Sequence, residues 1–168
     1  EIRHVSICKL HLKSDSVLYD VGSGTGSIAV EAASLSDDME VYAIEQKENA
    51  VQLITQNREK HGLENIHVIN AKAPDRMDNL PVPTHAFIGG SSGNLKEIIE
   101  ALKVKNPHIR IVINAISMET ICEIKEILSA YDVKNEDIVQ LQVSRSKQIG
   151  HYHLMQAENP VWICSFEF

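Results

Sequence analysis

The chain has 168 residues, 43% of them hydrophobic and 23% charged, the length and make-up of one globular domain. Its formal net charge of −7 repels phosphate backbones, which makes nucleic acid a poor default partner. No apolar run approaches the ~20 residues of a membrane span. No signal peptide is visible, so the cytoplasm is the expected compartment. Cys8, Cys122 and Cys164 form no CxxC and read as small buried hydrophobes in a reducing environment. The chain opens at Glu1-Ile2-Arg3 without a methionine, as a domain cut from a longer polypeptide would.

There is no repeat or linker-like tract, so residues 1–168 are read as a single domain. Ser16–Val21 is a short apolar run stopped by glycines, the pattern of a buried parallel strand. A helix follows over Ser27–Leu35, with Ile28, Ala32 and Leu35 at helical spacing. Val41–Ile44 is a second strand ending at Glu45. Ala50, Leu53, Ile54 and Asn57 then mark a helix that Gly62 closes. Strands are predicted at Ile66–Asn70, His85–Ile88 and Ile109–Asn114, and helices at Leu95–Leu102 and Met118–Tyr131. Val139–Ser146 and Pro160–Phe168 read as two further strands, separated only by the polar stretch Lys147–Asn159. Five βα units and a terminal hairpin predict an α/β domain. Its sheet is mostly parallel and seven-stranded, with helices on both faces and a C-terminal antiparallel hairpin.

Ligands of open α/β sheets sit beyond the carboxyl ends of the strands. Asp20-Val21-Gly22-Ser23-Gly24-Thr25-Gly26 occupies that place after the first strand. A dinucleotide fingerprint starting at Gly22 would need Gly or Ala at position 27, where this chain has Ser27. The spacing DxGxGxG instead resembles motif I of Rossmann-like class I methyltransferases, which use S-adenosylmethionine. Asp20 either takes the cofactor's ammonium or organises the loop. Glu45, at the end of the second strand, has the acceptor-only carboxylate that suits two ribose hydroxyls. Adenine contacts are expected around Ala71-Lys72-Ala73. A glycine-rich turn that binds nothing is the competing reading.

Beyond these segments, the chain resembles the CbiT-type precorrin methyltransferases of cobalamin biosynthesis. The resemblance rests also on Ala71-Lys72-Ala73-Pro74, Phe87-Ile88-Gly89-Gly90-Ser91, Asn94-Leu95, Asn114-Ala115 with Glu119-Thr120, and Gln156–Val161. It implies methylation of carbon 15 of cobalt-precorrin-6B or precorrin-6B with decarboxylation of an acetate side chain. It also implies a homotetramer. Carried over, the cofactor contacts fall on Gly22, Ser23, Gly24, Thr25, Gly26, Glu45 and Ala73, with Asp20 and Gly89 beside them. Lys72 departs from the family's usual Asp, which removes a side-chain contact to the adenine amine. His85 replaces a common Asp. The family's usual N-terminal segment, which helps close over the cofactor, is absent from this sequence. In some relatives the domain is fused behind a second methyltransferase.

Methyl transfer to carbon needs near-attack geometry and no metal. A precorrin carries many carboxylates, for which Arg145, Lys147, His151 and His153 are the candidate donors; a solvated loop is the plain alternative. His151 and His153 lack the third ligand of a metal site. After the fourth strand, Gly89–Asn94 lacks the Asn/Asp-Pro-Pro-Tyr/Phe sequence of amino-methylating enzymes. Its glycines suit a large flat substrate, with Gly90 passing close and Ser91 and Asn94 as polar candidates. Asn94 is equally placed to cap the next helix. Asn114 and Glu119 are expected to face the same crevice. The other readings are a tRNA-modifying methyltransferase and a non-catalytic cofactor-binding subunit.

Overall fold

The computed structural model describes residues 1–168. Helix α1 (Ile2–Leu10) precedes β1 (Val17–Val21), α2 (Ser27–Ala33), β2 (Glu40–Glu45), α3 (Glu48–His61) and β3 (Ile66–Asn70). Then come β4 (His85–Ile88), α4 (Leu95–Lys105), β5 (Arg110–Ala115) and α5 (Met118–Ala130). Four strands finish the chain: β6 (Lys134–Leu141), β7 (Ser144–Ile149), β8 (Tyr152–Ala157) and β9 (Val161–Glu167). Seven of the nine form one sheet in the order β3-β2-β1-β4-β5-β9-β6. Its neighbours are parallel except at β9, which runs antiparallel to both β5 and β6.

The central strands are apolar on both faces because both faces are covered. Tyr19, Val21, Ile88, Ile111 and Ile113 pack with Leu95, Ile98 and Ile124 of α4 and α5. Leu18, Val41, Ala43 and Val112 pack on the other side with Leu10, Ile28 and Ala32 of α1 and α2. The buried Tyr19 hydroxyl donates to the Pro81 carbonyl at 2.6 Å. Helix α1 is clipped along β5. Ser6 exchanges hydrogen bonds with the Asn114 amide, and Arg110 Nε donates to the Lys9 carbonyl at 2.6 Å. Lys9 also pairs with Asp137 of β6.

The sheet agrees with the sequence pattern, and the departures have physical reasons. Helix α1 has little amphipathic contrast and was not expected; only Ser6 and Leu10 are buried in it. Helix α2 stops at Ala33, leaving Leu35 58% exposed. A 3-10 turn at Met77–Asn79, not an α-helix, follows β3, so there are four βα units rather than five. The predicted strand Val139–Ser146 is two elements. β6 begins at Lys134 and ends at Leu141, whereas Ser144 starts a separate two-stranded arm, β7–β8. Every residue of that arm is exposed, so no buried face stamps an apolar alternation on it, and most of the polar stretch Lys147–Asn159 is strand. The cysteines also differ from expectation: Cys164 is buried, but Cys8 and Cys122 lie on the solvent sides of α1 and α5.

Register places the arm. Leu141 of β6 pairs with Val161, and Trp162 pairs with Ala115 at the end of β5. The arm therefore leaves the sheet at its carboxyl edge, the edge on which the β1 loop lies.

Candidate functional site

The loop after β1 turns through left-handed backbone at Gly22 (φ 68°) and Gly24 (φ 59°), which favours glycine at both. Their surroundings differ. A Cβ on Gly22 would run into the Gly90 carbonyl and stand 2.8 Å from the Gly90 nitrogen, whereas one on Gly24 would meet nothing within 4 Å. Asp20 sits beneath the loop. Its Oδ2 accepts from Ser23 Oγ at 2.6 Å and from the Ala29 amide at 3.2 Å, while its buried Oδ1 has no partner. Burial pushes the Asp20 carboxyl up to about 6, against the pull of the Ser23 and Ala29 hydrogen bonds.

Glu45 ends β2 and is nearly buried. Its Oε2 accepts the Gly24 amide at 3.0 Å, and its Oε1 accepts the amides of Gln46 and Lys47, each at 2.9 Å. The carboxylate thus ties the glycine loop to the start of the β2–α3 connection. A carboxylate has about four acceptor positions, so these three amides leave it room for a further donor.

Across from these groups, the β3 end and the β4 loop complete a cleft of about 260 Å³. Gly22, Gly24, Glu45, Lys72, Ala73, Gly90 and Ser91 line it, all of them singled out from the sequence. Asp20 and Ser23 support it from below, and Gly26 starts α2. Thr25 is exposed, with its carbonyl taking the Asn57 amide at 2.8 Å. The Gly89 amide donates to the Val21 carbonyl at 2.9 Å, and Gly89 does not line the cleft. Ala71, expected with the adenine contacts, lines it too, as do Gln46, Lys47 and Ser92, which were not picked out. Gln46 and Lys47 directly follow Glu45, so widening that strand-end motif by two positions would have found them.

Asn94 occupies the N-cap position of α4 but makes no capping bond; its Nδ2 donates to the Ala73 carbonyl at 3.1 Å, joining the β4 loop to the β3 loop. Asn114 faces Ser6 of α1, and Glu119 is exposed in the first turn of α5, so neither lines the cleft. Arg145 is engaged by two carboxylates, Glu1 at 2.6 Å and Glu158 at 2.9 Å. Lys147 pairs across the arm with Leu154 and shares the Arg145 face, while His153 pairs with Gln148 on the other face. His151 lies in the turn between β7 and β8.

The match to known proteins decides the family. The family described as a precorrin methyltransferase domain matches residues 1–167. This chain belongs to it. A Pyrobaculum calidifontis protein named probable cobalt-precorrin-6B C(15)-methyltransferase (decarboxylating) is 35% identical over 97% of the chain and 84% of its own length. The structure of the Geobacter metallireducens precorrin-6y C5,15-methyltransferase superposes with a TM-score of 0.92 at 31% identity, covering 99% of this chain and 87% of that one. The precorrin 8W decarboxylase of Methanobacterium thermoautotrophicum gives 0.89 at 30% identity, covering 98% and 88%. The precorrin methyltransferase thus has the class I methyltransferase fold, as its sequence pattern indicated.

That class implies S-adenosylmethionine as methyl donor. The residues present fit it. The open space over Gly24 would leave room for ligand, Glu45 has an acceptor position free for a hydroxyl, and the unpartnered Asp20 Oδ1 is a buried carboxylate oxygen beside the loop. No helix is long and apolar enough to cross a membrane.

Proposed function

We propose that this precorrin methyltransferase methylates carbon 15 of cobalt-precorrin-6B, or of its metal-free counterpart, and removes carbon dioxide from an acetate side chain, in cobalamin biosynthesis. The observation that carries the reading is the cleft in which Glu45 holds the Gly24 amide beneath open space, on a chain of this family. S-adenosylmethionine, when bound, supplies an electrophilic methyl on a sulfonium. The protein's own part is orientation and exclusion of water. Glu45 accepts from the ribose, and backbone at Ala73 reads the adenine edge. Lys72, in place of an acid, gives the adenine amine no side-chain acceptor. Asp20 holds the glycine loop in shape and lends negative charge to the cationic end of the cofactor.

Gly90 and Ser91 form the wall on the substrate side, where a backbone without side-chain bulk lets a flat macrocycle approach. Lys147, with His151 and His153, supplies donors to the substrate carboxylates from the arm at the same edge of the sheet. Arg145 is held by Glu1 and Glu158, so it contributes less than its charge suggests. A net charge of −7 does not favour tRNA as the substrate. The chain acts in the cytoplasm as a homotetramer, and the arm's exposed Ile149, Tyr152 and Leu154, on one face, fit burial between subunits.

The deciding experiment incubates the protein with S-adenosylmethionine and cobalt-precorrin-6B and follows mass. A gain of one methyl with loss of carbon dioxide is expected. Methylation without that loss removes the second activity, and a folded, cofactor-binding protein that turns over neither corrinoid defeats the substrate assignment.

A further inference from the structure

Strand order sets β2 and β4 on either side of β1, so the segments that follow them form the two walls of the cleft. One side-chain bond spans these walls. Gln46, immediately after Glu45, donates from Nε2 to Ser92 Oγ at 2.7 Å, and both residues line the cleft. Ser92 is held at φ 51°, a conformation that residues with a Cβ rarely adopt, and Gly93 follows at φ 82°. The same loop has a second tie, the Asn94 amide on the Ala73 carbonyl, which is partly buried. The Gln46–Ser92 tie is exposed. Of the two, the exposed one is the one water can replace, and its loss parts Ser92 from Gln46 while the Asn94 tie and the sheet stay intact.

We propose that Gln46 and Ser92 form a latch over the cofactor cleft and are positioning residues. The closed bond holds the Gly89–Asn94 loop against the wall that carries Glu45, and its opening admits and releases the cofactor. This rests on the cofactor reading above. Entry proceeds only from the open fraction, so closing the latch slows association in proportion to that fraction. A latch that re-forms over bound cofactor slows release by the same factor. A neutral exposed hydrogen bond sets a population ratio of about two- to tenfold.

The test is stopped-flow binding of S-adenosylhomocysteine to the full chain, with the equilibrium constant measured separately by calorimetry. Gln46→Ala and Ser92→Gly should each raise both the association and the dissociation rate by about two- to tenfold, with Kd changed by less than about twofold. The double variant should match either single one, because one bond is removed in all three. Gln46→Glu, whose carboxylate accepts from the Ser92 hydroxyl where Gln46 donates to it, re-forms the bond in the opposite direction and should keep the slow rates. Unchanged rates in Gln46→Ala overturn the latch. So do a faster dissociation with unchanged association, which would make Gln46 a direct cofactor contact, and additive effects in the double variant. A wild-type protein that binds no S-adenosylhomocysteine removes the cofactor reading and the latch together; binding with rates indifferent to both variants removes the latch alone.

Discussion

Gly22 and Gly90 meet backbone to backbone, with no room between them for a Cβ on Gly22. The β1 loop and the β4 loop are therefore braced against each other, and substitutions at Gly22 and Gly24 should fail in different ways. Gly22→Ala meets both the left-handed backbone penalty, roughly 1–2 kcal/mol, and a clash with main chain that cannot swing aside. It should lower Tm strongly. Gly24→Ala meets only the first and should remain folded, yet its Cβ enters the ligand space, so S-adenosylhomocysteine binding should fall well below that of wild type. Thermal melts beside calorimetry separate the two; equal loss of stability in both variants would contradict this.

Glu45 accepts three backbone amides before any ligand arrives. Glu45→Ala should weaken S-adenosylhomocysteine by at least roughly 1.5–3 kcal/mol, the range for hydrogen bonds to a charged group. It should also loosen the Gly24 and Gln46–Lys47 amides, seen as faster hydrogen exchange there. Glu45→Asp should lose less affinity if its shorter arm still reaches a hydroxyl. Normal binding by a folded Glu45→Ala protein would end the ribose assignment.

Two buried groups give opposite pH dependences. Burial raises Asp20 from its ordinary 3.8 to about 6, so its contribution to stability is full below about 3.8 and is lost as pH rises through 6. Burial, with Arg110 nearby, lowers His85 from 6.5 to about 4, so its contribution is full above 6.5 and is lost as pH falls through 4. Relative to wild type, Asp20→Asn should be more stable at pH 7, by up to about 3 kcal/mol for a two-unit shift, with the advantage fading towards pH 4. His85→Asn should instead lose less stability than wild type between pH 6.5 and 4. Urea titrations across that range decide both signs. A parallel profile for Asp20→Asn and wild type would show that the carboxyl titrates normally.

On the arm, Lys147 has no carboxylate partner, whereas Arg145 has two. Changing both to Gln should raise KM for the corrinoid, leave S-adenosylhomocysteine affinity nearly unchanged and reduce the salt sensitivity of substrate binding. Lys147→Gln alone should carry most of the effect. A KM governed instead by Arg145→Gln would mean that the substrate displaces Glu1 and Glu158.

What the sequence made legible is what short-range chemistry encodes. Strands buried on both faces write continuous apolar runs, and glycines ending in a DxGxGxG turn and an acid closing the next strand are local patterns. Helix α1 escaped notice because its inward-packing Ile2, Val5, Ile7 and Leu10 form no clear apolar stripe at helical spacing. The arm escaped because none of its residues is buried. Ser92 could not be seen from its own neighbourhood, since its importance arises only when the ends of β2 and β4 come together. Asn114 was recognised as a polar group at a strand end, but its partner is Ser6, from a helix more than one hundred residues earlier.

The place of β9 bears on how the chain is made. Val161–Glu167 lies between β5 and β6, so until those residues are synthesised β5 presents an open row of unpaired amides and carbonyls, and β6 has no partner strand. Helix α1 waits too, because its Lys9 pairs with Asp137, 128 positions later. Closing such distant contacts is slow, and open strand edges invite other chains while it lasts. A nascent chain of this protein therefore emerges from the ribosome with a sticky, half-built sheet, and its hazard of aggregation ends only when β9 slots in.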